Sequence, residues 1–290
     1  MEDISYYLEE LEAKDDMLAR TTNYLSQIQS SIIEKNLHLN ELQKGISDSI
    51  NFAKLIQTSL LPDVSILKVF FKDAAFKIFQ KIGIGGDTVF IKNTNSGVVF
   101  CLLDASGHGV SGSMLSISGT LILNDIISSI EIDDPAVILK FLNYRLHQTF
   151  KNDKNSIANF DGTVFCYSSI NNRLSYSSAR GKGFLIDSRN DIISLENTKV
   201  SIGENLNSNF NTCNISFEKG NKLVLFTDGL IDQFGGDHNK KYSTSRLKKL
   251  LSNNTGKTAS ELTEIISDEY LSWKGDGSQT DDVSFKVIEF

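Results

Sequence analysis

Apolar residues recur at every seventh position through the first sixty residues. Ile4, Leu11, Leu18, Leu25, Ile32, Leu39, Ile46, Ala53 and Leu60 share one register, labelled a. A strict repeat of seven predicts a long helix that supercoils left-handedly on a partner. The d positions are mixed. Ile28, Leu42 and Ile56 are apolar, but Lys14, Thr21, Lys35 and Ser49 are not. Two arrangements suit this pattern: one amphipathic helix folded back on its own domain, or a parallel coiled coil of two copies. No later segment has the length to cover such a helix, so a homodimer is the expectation, with a seam weakened by its polar d positions.

The periodicity changes at Pro62. The residues before it include one glycine, Gly45, and no other proline. The expected organisation is therefore a coiled-coil and regulatory helix over 1–61 and a compact domain over 62–290. Strand-like runs cover 75–82, 97–103, 163–169, 173–178, 184–186, 222–226 and 283–289. The two runs flanking Asn171-Asn172 read as a hairpin. Helical patterns cover 112–130, 135–150, 244–252 and 258–273. Asp134 is placed to cap the second of these, with Pro135 at its first position. The helix over 112–130 is apolar nearly all round, which predicts burial against a sheet, another helix or a second subunit. Hairpin-linked strands with segregated helices predict an α+β fold with antiparallel sheets.

Composition narrows the class. The chain has 290 residues, 40% hydrophobic and 22% charged, which is ordinary for a globular protein with a substantial core. There is no N-terminal signal pattern, and the apolar strand-like runs are too short to span a bilayer, so a cytoplasmic location is expected. Cys101, Cys166 and Cys213 lack metal-ligand spacing and read as reduced thiols. The net charge is −7, with ten acidic and five basic residues in the first sixty. No basic footprint for nucleic acid is present.

The chemistry lies in carboxylates that recur in one context. Asp104 ends the run Val98-Val-Phe-Cys-Leu-Leu103 and is followed by the small turn Ala-Ser-Gly-His-Gly109. Asp87 follows Gly85-Gly86, Asp228 follows Leu223-Val-Leu-Phe-Thr227 and precedes Gly229, and Asp281-Asp282 lead into the last strand. Each alone has a bland reading: Asp228-Gly229 as a turn, Asp104 as a helix cap, Asp281-Asp282 as a solvated strand start. If the strand ends converge, the like charges need a counter-cation, and oxygen-only ligation favours Mg²⁺ or Mn²⁺ over Zn²⁺. His108 reads as a structural histidine, as an orienter of a carboxylate, or as a general acid. Arg180 and Lys182 follow a strand in what reads as a flexible loop. Arg180 is a candidate for contacting phosphate, since guanidinium matches phosphate oxygens, against the alternative of a plain surface charge.

Leu60-Leu-Pro62, Gly85-Gly-Asp87, Asp104-Ala-Ser-Gly-His-Gly109, Phe226-Thr-Asp-Gly229 and Thr280-Asp-Asp-Val-Ser284 stand in the order found in one family. The chain over about 52–290 resembles bacterial PPM-type (protein phosphatase 2C-like) serine/threonine phosphatases. The branch is that of stage II sporulation protein E and the stress-response phosphatases of sigma-factor partner switching. The run Asp232-Gln-Phe-Gly-Gly236 with Lys240-Lys241 is similar to the subset attached to signalling modules. The resemblance implies an αββα sandwich, two antiparallel sheets flanked by helices, with two Mn²⁺ or Mg²⁺ ions at one edge. It implies that Asp104 bridges the ions, that the Ala105 carbonyl is a further ligand, that Asp228 and Asp281 hold one ion, and that Asp87 serves the other. Asp104, Asp228 and Asp87 are thus the expected catalytic residues. The implied substrate is a phosphoserine or phosphothreonine protein, typically a STAS-domain anti-sigma antagonist. Two segments depart from the pattern. Thr88-Val-Phe90 stands where an aromatic and often a second aspartate are usual, and Ala179-Arg180-Gly181 where Ala-Gly-His is common.

The expected chemistry is single-step hydrolysis by a metal-bridging hydroxide. A docked N-terminal helix adjusts the metal site in related phosphatases, so regulation through 1–61, with an upstream sensor protein as a candidate partner, is expected here too. Two rivals remain at this stage. One is a non-catalytic coiled-coil scaffold whose phosphatase-like domain only binds phosphoprotein. The other is a metallohydrolase of small phosphoesters, for which the absence of a Walker-type loop argues against nucleoside triphosphates.

Overall fold

A computed structural model describes residues 2–129, 133–150 and 158–290. The chain divides into two compact units, 1–52 and 53–290, and it opens with helix α1 (Glu2–Ser59). Its a-position leucines and isoleucines from Leu11 to Ile46 are exposed. The side chain of Ile4, and Ile130 at the expected end of the apolar helix, lie outside the described residues. The helix stops at Ser59, ahead of Pro62.

The second unit begins with the short α2 (Ser65–Lys68), then β1 (Asp73–Phe79), β2 (Asp87–Asn93) and β3 (Gly97–Ala105). Helices α3 (Gly109–Ser129) and α4 (Pro135–Thr149) follow, then β4 (Phe160–Ser168), β5 (Arg173–Ala179), β6 (Lys182–Ile186), β7 (Ile192–Ser194), β8 (Cys213–Ile215) and β9 (Lys222–Phe226). The chain closes with α5 (Asp228–Asp232), the small β10 (Phe234–Gly235) and β11 (Lys240–Lys241) pair, α6 (Thr244–Ser252), α7 (Ala259–Lys274) and β12 (Val283–Glu289). Two five-stranded antiparallel sheets result, in the orders β1-β12-β9-β6-β7 and β2-β3-β4-β5-β8.

The layers follow from the two-residue alternation of strands. Val98, Phe100 and Leu102 of β3 join Val89, Ile91, Phe165, Leu223, Leu225 and Ile288 in a core between the sheets. The alternate residues Val99, Cys101 and Leu103 pack with α3 and α4 on the outer side of their sheet. Val224, Phe226, Val283, Phe285 and Val287 pack with α6 and α7 on the other. The arrangement is helix–sheet–sheet–helix, as the resemblance implied. Helix α3 is the described helix long and apolar enough to cross a membrane, and half of that stretch is buried against the sheet and α4.

Local signals largely hold. The Asp134 carboxylate accepts from Ala136 N at 2.9 Å with Pro135 next to it, and Asn172 takes φ +50° in the hairpin between β4 and β5. Thr258 and Glu261 form a reciprocal capping box on α7. Several boundaries differ. The first strand lies over 73–79 rather than 75–82, because Lys81 to Gly86 bend away as a glycine-rich turn. The sequence pattern missed β2, because the polar residues Asp87 and Thr88 open it, and also missed the three-residue strands β7 and β8.

Candidate metal centre

The predicted carboxylates come from strand ends that meet at one end of the sandwich. β2 begins at Asp87, opposite Asp104 in the β2–β3 register, and Asp104 in turn faces Asp161 of β4. Asp104 stands at the C-terminal end of β3, whose pairing runs on one residue further to Ala105. It does not cap α3, which begins at Gly109. From the other sheet, Thr227 at the end of β9 reaches across, its hydroxyl donating to Asp87 Oδ2 at 2.8 Å. Thr227 also pairs with β12: it donates its N–H to Ser284 O, and its hydroxyl accepts from Ser284 N, both at 2.9 Å. Asp228 is the first residue of α5, so Asp228-Gly229 opens a helical turn.

A cavity of about 390 Å³ opens where these ends converge. Asp104, Ala105, Asp161, Asp228, Asp281 and Arg180 line it, with His108, Asn159 and Ser201 on its wall. Arg180 and Lys182 do not sit in a flexible loop. Lys182 is the first residue of β6, only Arg180 and Gly181 separate that strand from β5, and Arg180 N is bonded to Thr198 O at 2.9 Å. Lys182 Nζ lies 3.5 Å from Asp228 Oδ2.

The adjacent pair Asp281-Asp282 divides its labour. Asp281 lines the cavity. Asp282 is buried and holds the glycine-rich turn, accepting from Lys81 N at 2.8 Å and Gly86 N at 2.7 Å. Gly85 is required there, because a Cβ would run into the Asp282 carboxylate. Gly86 is equally confined, against the Ala105 carbonyl. This packing brings the Asp87 end of β2 beside the Ala105 end of β3.

Electrostatics make the crowding plain. Burial raises Asp87 well above the ordinary carboxylate range, and the charges of Asp282 and Asp228 add to it, while the nearby Ser284 and Thr227 hydroxyls oppose the rise. Burial likewise raises Asp104, reinforced by Asp87, Asp228, Asp281 and Asp161. Asp161 and Asp281 are raised too, again chiefly by burial. Asp87 Oδ1 is buried without a hydrogen-bond partner. An orphaned carboxylate oxygen among mutually repelling carboxylates fits a hard divalent cation. Among the described residues, no three acidic, histidine or cysteine side chains are already gathered into a metal cage. The carboxylates line an open cavity, which suits ions that keep part of their water.

Sequence reasoning overlooked Asp161, Asn159 and Ser201. For Asp161 the signal was available: Asp161-Gly162 leads into an apolar run, as Asp281-Asp282 do. Ser201 and Asn159 carry no motif and reach the cavity only through tertiary structure.

The two-sheet sandwich with clustered carboxylates at one end defines the class of metal-dependent PPM phosphatases. The family model described as stage II sporulation protein E (SpoIIE) matches residues 94–290, and the chain belongs to that family. It is a protein serine/threonine phosphatase. Among solved structures, the fold is similar to the SiaA-PP2C domain of Pseudomonas aeruginosa, with TM-score 0.77 and 22% identity over 86% of this chain and 98% of that one. It is also similar to the PP2C phosphatase domain, with a fragment of the regulatory domain, of SpoIIE from Bacillus subtilis. There the TM-score is 0.61 at 15% identity, covering 75% of this chain and 63% of that one. RsbX in complex with magnesium matches with TM-score 0.55 and 15% identity, over 74% of this chain and 94% of that one. No curated protein sequence matches the chain significantly.

Proposed function

We propose that this chain removes phosphate from serine or threonine of a regulatory protein, a STAS-domain antagonist of the partner-switching type, using two Mn²⁺ or Mg²⁺ ions. The convergence of Asp104, Asp228 and Asp281 on one cavity, with the buried Asp87 paired opposite Asp104, carries the reading. Asp104 would be shared between the ions, with the Ala105 carbonyl as a further ligand, Asp228 and Asp281 would serve one, and Asp87 the other. Cations held there would acidify a bridging water to a hydroxide nucleophile and offset the charge that develops on the phosphoryl oxygens.

The chain's own residues supply the rest. The Thr227 hydroxyl holds one Asp87 oxygen and leaves the other free. Asp282 fixes the turn that delivers Asp87. Arg180 lines the same cavity and offers a planar fork of donors to phosphoryl oxygens. His108, exposed on the wall, is suited to orienting a carboxylate's water or to giving a proton to the departing seryl oxygen.

Residues 1–61 act as a coiled-coil dimerisation and regulatory segment on the phosphatase domain 62–290, and an upstream sensor would act through it. Titrating Mn²⁺ into the full chain with a phosphorylated STAS-domain protein tests the chemistry. Asp104→Asn and Asp228→Asn should each lower phosphate release by about a hundredfold or more. Mn²⁺ should raise the melting temperature of the wild type and not that of Asp104→Asn. Undiminished activity in both variants sinks the metal assignment, and an inactive but phosphoprotein-binding wild type supports the scaffold reading instead.

A further inference from the structure

Arg180 has an unusual backbone. Its φ is +53°, in the left-handed region that residues with a Cβ seldom adopt, although Gly181 stands next to it. The conformation is held in place: Arg180 N donates to Thr198 O, and Thr198 N to Ser178 O, each at 2.9 Å. Strain kept where a glycine would relieve it points to a use for the side chain.

That side chain belongs to a short polar chain. Arg180 Nη1 donates to Ser201 Oγ at 3.4 Å, and Ser201 Oγ donates to Asp161 Oδ1 at 2.5 Å. Ser201 is 4% exposed, and its loop is tightly tied. Ser201 N donates to Glu204 Oε2 at 2.9 Å, Ile202 and Phe160 exchange two backbone hydrogen bonds of 2.8 Å, and Gly203 N donates to Asn143 Oδ1 at 2.7 Å. Asp161, in turn, is fixed in β4 opposite Asp104. The two nearby cations differ. Lys182 is paired with Asp228, whereas Arg180 forms none of the ion pairs among the described residues. The interposed serine keeps the guanidinium off the Asp161 carboxylate, so most of its five N–H donors remain available to the cavity.

We propose that Asp161 and Ser201 are positioning residues that aim the Arg180 guanidinium at the phosphoryl group, so that Arg180 grips two of its oxygens. This rests on the phosphatase reading and adds the device that orients the substrate's phosphate. A merely structural polar chain would stabilise the fold without affecting phosphate. An Asp161 that served as a cation ligand would affect metal uptake instead.

The test is calorimetric binding of inorganic phosphate to the full chain in saturating Mn²⁺. Ser201→Ala should weaken binding by about three- to tenfold, and Arg180→Gly by about ten- to a hundredfold. In the Arg180→Gly background, Ser201→Ala should have no further effect, because the two act through one contact. Asp161→Asn should weaken phosphate binding while leaving the number of Mn²⁺ ions bound unchanged. Arg180→Gly should melt no lower than wild type, since it relieves the left-handed backbone. The inference is overturned if Ser201→Ala leaves phosphate affinity unchanged, if its effect persists without Arg180, or if the wild type binds no phosphate in the millimolar range. Loss of a bound Mn²⁺ ion in Asp161→Asn also overturns it, making Asp161 a cation ligand. Failure of the phosphatase reading looks different: no phosphate is released from any phosphoprotein, whatever the pattern of phosphate binding.

Discussion

Lys286 lies between the sheets, on the inner face of β12 with Ile288. Its Nζ donates to the Cys101 carbonyl at 3.3 Å and lies 5.3 Å from the centre of the Phe100 ring. No carboxylate pairs with it among the described ion pairs. Burial pushes its ammonium down to about 7. In the unfolded chain the group titrates near about 10.4, so between these values the native state holds fewer protons. Stability from this residue therefore rises as pH climbs from about 7 to about 10, and the cost of burial is fully present below 7. Lys286→Met should stabilise the fold at pH 6 by about 1–2 kcal/mol and flatten that slope. Urea unfolding at pH 6 and pH 9 measures both, and a loss of stability at each pH would rule this out. Nothing in the alternation of β12 marks Lys286 as buried. A lysine in a terminal strand reads as a solvent-facing position until a second sheet covers it.

At the scale of elements, the last turn of α1 is joined to the carboxylate-lined end of the sandwich by one side chain. Gln57 is 5% exposed, and its amide donates to Gly85 O at 2.7 Å and to Ser116 Oγ of α3 at 2.8 Å. Its carbonyl oxygen accepts from Gln80 Nε2 at 2.7 Å and from Gly85 N at 3.3 Å. Gly85 precedes the Gly86-Asp87 step, so the helix end and the Asp87 carboxylate share a turn. Gln57→Ala leaves buried donors and acceptors unmatched, a cost of about 1–3 kcal/mol. It should also raise the Mn²⁺ concentration needed for half-maximal activity, while kcat at saturating Mn²⁺ changes little. An unchanged metal requirement would separate the helix end from the metal site. The heptad reading could not reveal this residue, because Gln57 falls at neither an a nor a d position and its partners lie 28 and 59 residues away.

The whole chain pairs a catalytic sandwich with a helix of 58 residues, roughly 87 Å long at 1.5 Å per residue. Leu11, Leu18, Leu25, Ile32, Leu39 and Ile46 stand exposed along it, at the spacing a coiled-coil seam uses. The proposed homodimer predicts that the full chain sediments as a dimer. Leu25→Asp together with Ile32→Asp should shift it to monomer without altering the melting of the catalytic domain. A wild-type chain that sediments as a monomer at tens of micromolar excludes the coil as a dimerisation device. If dimer geometry sets activity, the same double variant will also change the rate of phosphate release.

Local pattern was enough for most elements and for the family. Period-two and period-3.6 runs, the Asp134-Pro135 cap and the Asn171-Asn172 turn act within a few residues, and the aspartate-glycine motifs are themselves contiguous. Strand β2 escaped because it opens on the polar residues Asp87 and Thr88, whose partners, the hydroxyls of Thr227 and Thr120, lie far away in the sequence. Tertiary structure alone decided the functions of neighbours with the same chemistry. It gave Asp281 the cavity and Asp282 the glycine-rich turn, brought Asp161 opposite Asp104, and set Ser201 beside Arg180. The physical reason is that a strand's alternation assigns a residue to one of two faces. What covers that face, and which strand ends meet there, depends on pairings between residues up to about two hundred positions apart, such as Asp282 with Gly86.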